Sequence, residues 1–238
     1  MKASDVVILC LPGSGTVQAC VASVLPAVRP GQLFINTSTC LPDTDRQAAA
    51  QLAGRAAAWV DAPLTWRPKG FVFMVGGEAA SYRLAEPILD LIGGRHRHMG
   101  PPGSGQLCKL MQQTLVAYQN AVRAEAAAFC RRAGFDPAWL RDYLGFDFPQ
   151  RLLDEEPGTK NTLGMMYKDL GYYLQEAHDR RAAVLLAAVV HEAFKTTLNA
   201  ADGPWDHDAI HAFWRLQHEP WPPTADAPAA PEAKEADA

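Results

Sequence analysis

The chain has 238 residues, 48% of them hydrophobic and 20% charged, a balance that fits a soluble globular protein with one large domain or two small ones. A formal charge of −4 without a basic block argues against nucleic acid as a partner, and no apolar run reaches the roughly 18 residues that a membrane span needs. The five cysteines, Cys10, Cys20, Cys40, Cys108 and Cys130, are odd in number and form no CxxC pair, which predicts free thiols in a cytoplasmic protein rather than a disulfide framework.

Strand and helix signals alternate over the first hundred residues. DVVILCLP (5–12) is a continuous apolar run ended by proline; it predicts a strand buried on both faces and is too short for a signal peptide. GTVQACVASVLPAV (15–28) is helical in period and GQLFINTST (31–39) is a second strand. LPDTDRQAAAQLAGR (41–55) is a helix with Asp43 as its cap, followed by strands at AAWVDAP (57–63) and GFVFMVGG (70–77). EAASYRLAEPILDLIGG (78–94) is a helix closed by Gly93 and Gly94, and RHRHMG (95–100) is a short fifth strand. The alternation predicts a doubly wound α/β sheet, largely parallel.

After Gly100 the strand signals stop, and helices are expected over 104–134, 137–145, 162–178, 181–199 and 207–217. In the first of these, Leu107, Leu110, Met111, Leu115, Tyr118 and Val122 recur at three- and four-residue steps and predict a buried stripe, with Lys109 off it. AAVLLAAVVHEAF reads as a buried bundle helix. The organisation is therefore an α/β domain over 1–99, an all-helical domain over 100–218, and a Pro-, Ala- and acid-rich tail over 219–238 with nothing to bury, expected to be disordered.

Several stretches offer chemistry. In LPGSGTVQA, Gly13, Gly15 and Thr16 form a turn that opens a helix, a place where backbone amides can meet a phosphate. Gln18 stands where the third glycine of GxGxxG belongs, and Asn36 where the ribose-binding acid belongs, so an ordinary strand-to-helix turn near a ligand is favoured over a pyrophosphate loop. GPPGSGQ lacks the Gly-Lys-Ser/Thr ending of a P-loop. His96 with His98, and His207 with His211, read as surface histidines rather than metal ligands, since neither pair carries a third ligand; no metal is expected. Lys109 and Gln113 lie one helical turn apart with Asn120 further along, and Lys168 and Asp169 form a second pair. By spacing alone, both lysines read as snorkelling side chains or as general acid/base groups beside an apolar wall.

Five windows, taken in order, resemble the β-hydroxyacid dehydrogenases, the group of 3-hydroxyisobutyrate and 6-phosphogluconate dehydrogenases. DVVILCLP resembles the strand before that family's Leu-Pro cofactor loop, and NTSTCLP its D-x-S-T-x-x-P segment with Asn36 in place of the acid. VDAPLT…FMVGG resembles its substrate segment, GPPGSGQLCKLMQQ its G-x-x-G-x-G-x-x-x-K-x-x-x-N helix, and YKDLG its Lys-Asp motif. The resemblance implies part of a Rossmann domain followed by a helical domain, NAD or NADP as cofactor, and hydride transfer to or from a small hydroxy acid or semialdehyde. It makes Lys109 the general acid/base, assigns Leu11, Pro12, Thr16, Thr39 and Lys168 to the cofactor, and assigns Thr65, Trp66, Arg67 and Gln113 to the substrate. It also implies a homodimer. The family's first strand, GxGxxG turn, helix and two further strands match nothing in this chain, Trp66-Arg67 replaces a Gly-Gly pair, and Gln113 replaces asparagine. The alternative implied by these departures is a catalytically impaired relative that serves as a dimerisation or binding module.

Overall fold

The computed structural model describes residues 4–158, 160 and 162–216, with side chains as far as Trp214; the tail over 219–238 lies outside the described residues. Three short strands, β1 (Val6–Leu9), β2 (Leu33–Asn36) and β3 (Ala58–Asp61), pair in parallel, with Leu9 opposite Asn36 and Asn36 opposite Asp61. Side chains alternate between the two faces. Phe34 and Trp59 stack with ring centroids 6.2 Å apart on one face, where α1 (Ser14–Val24) and α2 (Pro42–Ala53) cover them with Val17, Val21 and Leu52. Ile35 and Val60 point the other way and meet Ala85 and Leu89 of α3 (Ala79–Leu91). All four residues of β2 are buried, and its Leu33, Phe34 and Ile35 serve two cores, as the parallel-sheet reading requires.

The sheet continues through an unforeseen hairpin. Strand β4 (Leu64–Arg67) turns at Pro68–Lys69 into β5 (Gly70–Gly77), which runs antiparallel to both β4 and β3 and parallel to β6 (Gly94–Gly100). The six strands lie in the order β1-β2-β3-β5-β4, with β6 also on β5. Among the described residues strand β1 lies at the edge of this sheet and pairs with β2 alone; Ile8 is 48% exposed, which corrects the expectation of a strand buried on both faces. Asp43 is likewise not a cap: Leu41 precedes α2, Pro42 opens it, and Asp43 sits in its first turn accepting from Gln47.

Beyond the sheet come α4 (Ser104–Arg132), α5 (Ala138–Asp142), α6 (Gln150–Leu153), α7 (Leu163–Asp179), α8 (Leu185–Ala200), a 3₁₀ turn (His207–Ile210) and α9 (His211–Leu216). No helix among the described residues is long and apolar enough to cross a membrane. By compactness the chain forms two units, one reaching to Thr114 and taking back Asp169–Ala183, the other made of Leu115–Lys168 and the residues from Val184. In the second unit Phe148, Leu152, Leu163, Phe194 and Ile210 are buried, and Arg151 bridges the carboxylates of Asp206 and Asp208.

Helix α4 keeps only part of the expected stripe inside. Leu110 is buried and Leu107 and Tyr118 are half-buried, but Met111, Leu115 and Val122 are 52%, 60% and 69% exposed, while Gln106, Lys109, Thr114, Ala117, Asn120, Ala121 and Ala124 are buried. Small and polar residues line the inner face because that face lies close to backbone. A Cβ on Gly105 would sit 2.2 Å from the Met74 carbonyl oxygen and 2.9 Å from the Gly76 nitrogen. Helix α8 is also only half inside: Ala187, Ala193 and Phe194 are buried, while Leu185, Leu186 and Val189 are 83%, 67% and 70% exposed.

The Gly105 contact makes a first prediction. Gly105→Ala forces backbone apart and should lower unfolding free energy by about 1–3 kcal/mol in a denaturant titration. Gly15→Ala, where an added Cβ meets nothing within 4 Å, should leave stability unchanged or raise it by about 0.4–1 kcal/mol.

Candidate active site

In open α/β sheets, ligands bind outside the carboxyl ends of the parallel strands. Here those ends are Leu9, Asn36 and Asp61. The loops that leave them are tied together by side chains. Ser38 Oγ accepts the Leu11 amide at 2.8 Å, Ser14 Oγ accepts the Leu41 amide at 2.9 Å, and Gln106 Oε1 accepts the Cys40 amide at 3.0 Å. Gln106 Nε2 returns a bond to the Ser38 carbonyl at 2.9 Å. Segments 11–14 and 38–41 thus form one ledge, with Leu11 and Thr39 half-buried and Pro12 exposed.

Helix α4 starts beside this ledge because Asp61 holds it there. The Asp61 carboxylate accepts the amides of Gly103 at 2.8 Å and Gln106 at 3.0 Å, placing an anion at the positive end of a 29-residue helix. Lys109, in the second turn, is buried at 6% exposure, and its Nζ donates to Gln112 Oε1 at 3.2 Å. Gln113 lies one turn further, with Nε2 donating to the buried Asp169 carboxylate at 2.9 Å. A lysine on the buried face of a pinned helix is a group that can hold a proton at a fixed point.

The Gly13–Thr16 turn is closed by its own neighbours. Thr16 Oγ1 accepts the Gly13 amide at 3.2 Å and donates to the Gly13 carbonyl at 2.8 Å, and the Ser14 amide donates to Tyr172 Oη at 3.1 Å. Two amides of a would-be phosphate cradle are therefore already bonded, in keeping with an ordinary strand-to-helix turn.

The hairpin divides the substrate set. Leu64 and Phe71 pack with Phe73 against α3, and Trp66 follows Leu64 by two residues and stands opposite Phe71. Trp66 therefore shares the α3 face and is 66% exposed, while Thr65 and Arg67 point to the opposite face. Trp66 and the pair Thr65 and Arg67, which the sequence grouped together, thus lie on opposite faces of the hairpin. Lys168 is half-buried on α7, in the second unit.

The histidine pairs have structural partners. His96 bonds Tyr82 and Asp90, His98 bonds the Gly77 carbonyl at 2.8 Å, His207 bonds Thr162 and His211 the Asp208 carbonyl. No group of three or more His, Cys, Asp or Glu arranged to hold a metal occurs among the described residues.

Sequence reading missed Asp45, which lies on α2 and is fully buried. Its Oδ1 accepts Asn36 Nδ2 at 2.8 Å and Trp59 Nε1 at 3.0 Å. Nothing local in PDTDRQ marks that aspartate as internal. It also missed Gln106, whose one amide group serves both Cys40 and Ser38.

A mostly parallel sheet with helices on both faces, followed in the chain by a helical region, is the architecture of a Rossmann-type domain joined to a helical one. Two family models match: one described as the NAD binding domain of 6-phosphogluconate dehydrogenase, over residues 1–100, and one described as NAD-binding of NADP-dependent 3-hydroxyisobutyrate dehydrogenase, over residues 103–214. The chain belongs to the β-hydroxyacid dehydrogenase family. It is 34% identical over 146 residues to a Mycobacterium tuberculosis protein named "Probable 3-hydroxyisobutyrate dehydrogenase", covering 59% of this chain and 50% of that one. It is 26% identical over 213 residues to the mitochondrial 3-hydroxyisobutyrate dehydrogenase of Rattus norvegicus, covering 81% of this chain and 64% of that one. The solved structure of the Mycobacterium tuberculosis 3-hydroxyisobutyrate dehydrogenase with L-serine superposes with a TM-score of 0.78 at 26% identity, covering 90% of this chain and 80% of that one. The chain thus spans half to two thirds of the length of these curated relatives.

The Gln106 bridge is testable. Gln106→Leu leaves the Cys40 amide and the Ser38 carbonyl buried without partners and should cost about 1–3 kcal/mol for each, read by chemical denaturation.

Proposed function

We propose that this chain is an NAD- or NADP-dependent oxidoreductase of the β-hydroxyacid dehydrogenase type, moving a hydride between the nicotinamide and a small hydroxy acid or its semialdehyde. The observation that carries the reading is Lys109: a buried lysine in the second turn of a helix whose first turn is clamped by Asp61. Leu11, Pro12 and Thr39 fit a flat ring, because the ledge offers apolar surface and its Leu11 amide is already satisfied internally. The Gly13–Thr16 turn fits a phosphate poorly, so the role of Thr16 is to shape the turn. Lys168 is assigned to the cofactor on the strength of its Lys-Asp motif. When bound, the nicotinamide supplies or accepts the hydride. Lys109 Nζ gives a proton to the carbonyl oxygen in reduction and takes it from the hydroxyl in oxidation. Thr65 and Arg67 share one strand face and hold the substrate carboxylate, with Gln113 beside Lys109 fixed in orientation by Asp169.

The five free thiols support a cytoplasmic location. A homodimer accounts for the outer face of α4, where Leu115, Val122 and Phe129 are 60%, 69% and 72% exposed. Val122 also borders a groove of about 460 Å³ lined by Tyr118, Ala126, Leu140, Phe146 and Phe148.

Two measurements follow. In steady-state assays with NAD or NADP and a panel of small 3-hydroxy acids, Lys109→Ala should lower kcat on the order of 10²–10⁴-fold. Lys109→Arg should not restore it, since a guanidinium does not cycle a proton near neutral pH. Lys168→Ala should raise the cofactor KM more than it lowers kcat; a Lys109→Ala enzyme with nearly full kcat overturns the mechanism. In sedimentation velocity, Val122→Glu combined with Phe129→Glu should weaken the dimer by on the order of 100-fold or more, given about 1.5 kcal/mol or more for each buried apolar side chain. Unchanged association would place the interface elsewhere.

A further inference from the structure

Two fully buried carboxyl groups lie in one network beneath the ledge. Asp61 is satisfied by the amides at the start of α4. Asp45 is satisfied on one oxygen only: Oδ1 takes Asn36 and Trp59, while Oδ2 is buried without a hydrogen-bond partner. Neither carboxyl has an ion-pair partner among the described residues. Two buried anions without a cation beside them repel each other and each loses its hydration, and one proton between them relieves both penalties. The Asn36 amide, held by Asp45, points its Oδ1 at the Ser38 amide at 3.1 Å, and Ser38 Oγ in turn holds Leu11. Asp45 thus sits at the root of the ledge, opposite the very position where the family resemblance has an acid and this chain has Asn36.

We propose that Asp45 is a positioning residue that works as a neutral carboxylic acid, orienting Asn36 and through it the Ser38–Leu41 ledge, while Asp61 alone carries the negative charge. Its importance for turnover rests on the dehydrogenase reading; its protonation state does not. Burial pushes Asp45 up to about 8, with repulsion from Asp61 adding to the rise and the polar side chains of Asn36, Trp59 and Gln106 opposing it. Burial raises Asp61 as well, but the amides of Gly103, Gln106 and Gly105 favour its anion, so the shared proton belongs to Asp45. The groups facing Asp45 are Asn36 on β2, Trp59 and Asp61 on β3, and Gln106 on α4. The buried Cys40 thiol lies 3.8 Å from Asn36 Nδ2, and on α2 itself Asp43 and Arg46 are exposed.

The linkage has a definite sign. Between the ordinary value of 3.8 and about 8, folded Asp45 keeps a proton that the unfolded chain has lost. Stability from this group is full below that window, falls as pH rises by up to about tenfold in the folding constant per pH unit, and levels off above it. Asp45→Asn places an amide nitrogen where the carboxylic hydroxyl stands and cannot titrate. Chemical denaturation of the full chain from about pH 5 to about pH 9 should show the wild type losing stability relative to Asp45→Asn until about pH 8 and running parallel above it. Parallel curves across the whole range overturn the proposal, whatever constant offset separates them. Wild-type infrared difference spectra should show a carboxylic-acid carbonyl stretch that disappears as pH passes about 8. Its absence overturns the proposal even where the variant does not fold. For positioning, Asp45→Asn should keep the cofactor KM and Asp45→Ala should raise it severalfold with kcat nearly unchanged; a KM equal in all three enzymes overturns the positioning role. The stability and infrared arms need neither cofactor nor substrate, so their failure and the failure of the dehydrogenase reading are separable.

Discussion

The carboxylate of Asp61 is the constraint on which the rest of the α/β unit depends. It ends β3 and simultaneously accepts the first amides of α4, so it fixes where the helix enters and which residues its first two turns turn inward. Three glycines make that contact possible. A Cβ on Gly76 would lie 2.4 Å from Asp61 Oδ1, one on Gly105 2.8 Å from Oδ2, and one on Gly103 2.8 Å from the Pro42 carbonyl. Gly103 also has φ of +87°, a left-handed conformation that favours glycine. The glycine-rich entry is therefore a steric requirement for bringing a helix end onto a buried anion, and the lysine two turns in inherits its fixed position from that requirement.

The same constraint explains the mixed burial of α4. With Gly105 against the backbone of β5, the first turns of the inner face favour short or internally bonded side chains, and Leu110 is the one large apolar residue of the expected stripe that is fully buried. Gln106 is fully bonded to the ledge, Thr114 donates to the Leu110 carbonyl, and alanines continue the row at 117, 121, 124 and 127. Larger apolar residues are displaced outward. Hydrophobic period alone locates a helix and its length, but it assigns the inner face to the largest apolar residues, and here close backbone approach overrides that assignment.

What was legible in the sequence and what was not divides along this line. β2 and β3 were visible because Leu33–Asn36 and Ala58–Asp61 are short apolar runs bounded by turns, and α2 and α3 because their periodicity is local. The lysine helix was visible through the fixed spacing of Gly100, Gly103, Gly105 and Lys109. The hairpin strand Leu64–Arg67 was hidden because four residues between two prolines are too few for alternation to show, even with strand-favouring Thr and Trp among them; pairing with Gly70–Phe73 makes it a strand. Asp45 was hidden for a deeper reason. Its burial is decided by Asn36, Trp59, Asp61 and Gln106, residues up to 61 positions away, and an aspartate in the first turns of a helix ordinarily faces solvent.

The polar groups at the strand ends also constrain how a ligand can be held. The amides of Leu11, Cys40 and Leu41 go to Ser38, Gln106 and Ser14, and those of Gly13 and Ser14 go to Thr16 and Tyr172. A surface whose donors are already committed recognises a flat partner by shape and apolar contact rather than by new backbone bonds, and it pays little reorganisation on binding because nothing has to be rebuilt. Rigidity of the ledge and fixed placement of Lys109 are then two outcomes of one network, running from Asp45 through Asn36 and Ser38 on one side and from Asp61 through Gly103 and Gln106 on the other. Gln106 joins the two halves, because its backbone amide bonds Asp61 while its side chain bonds Ser38 and Cys40.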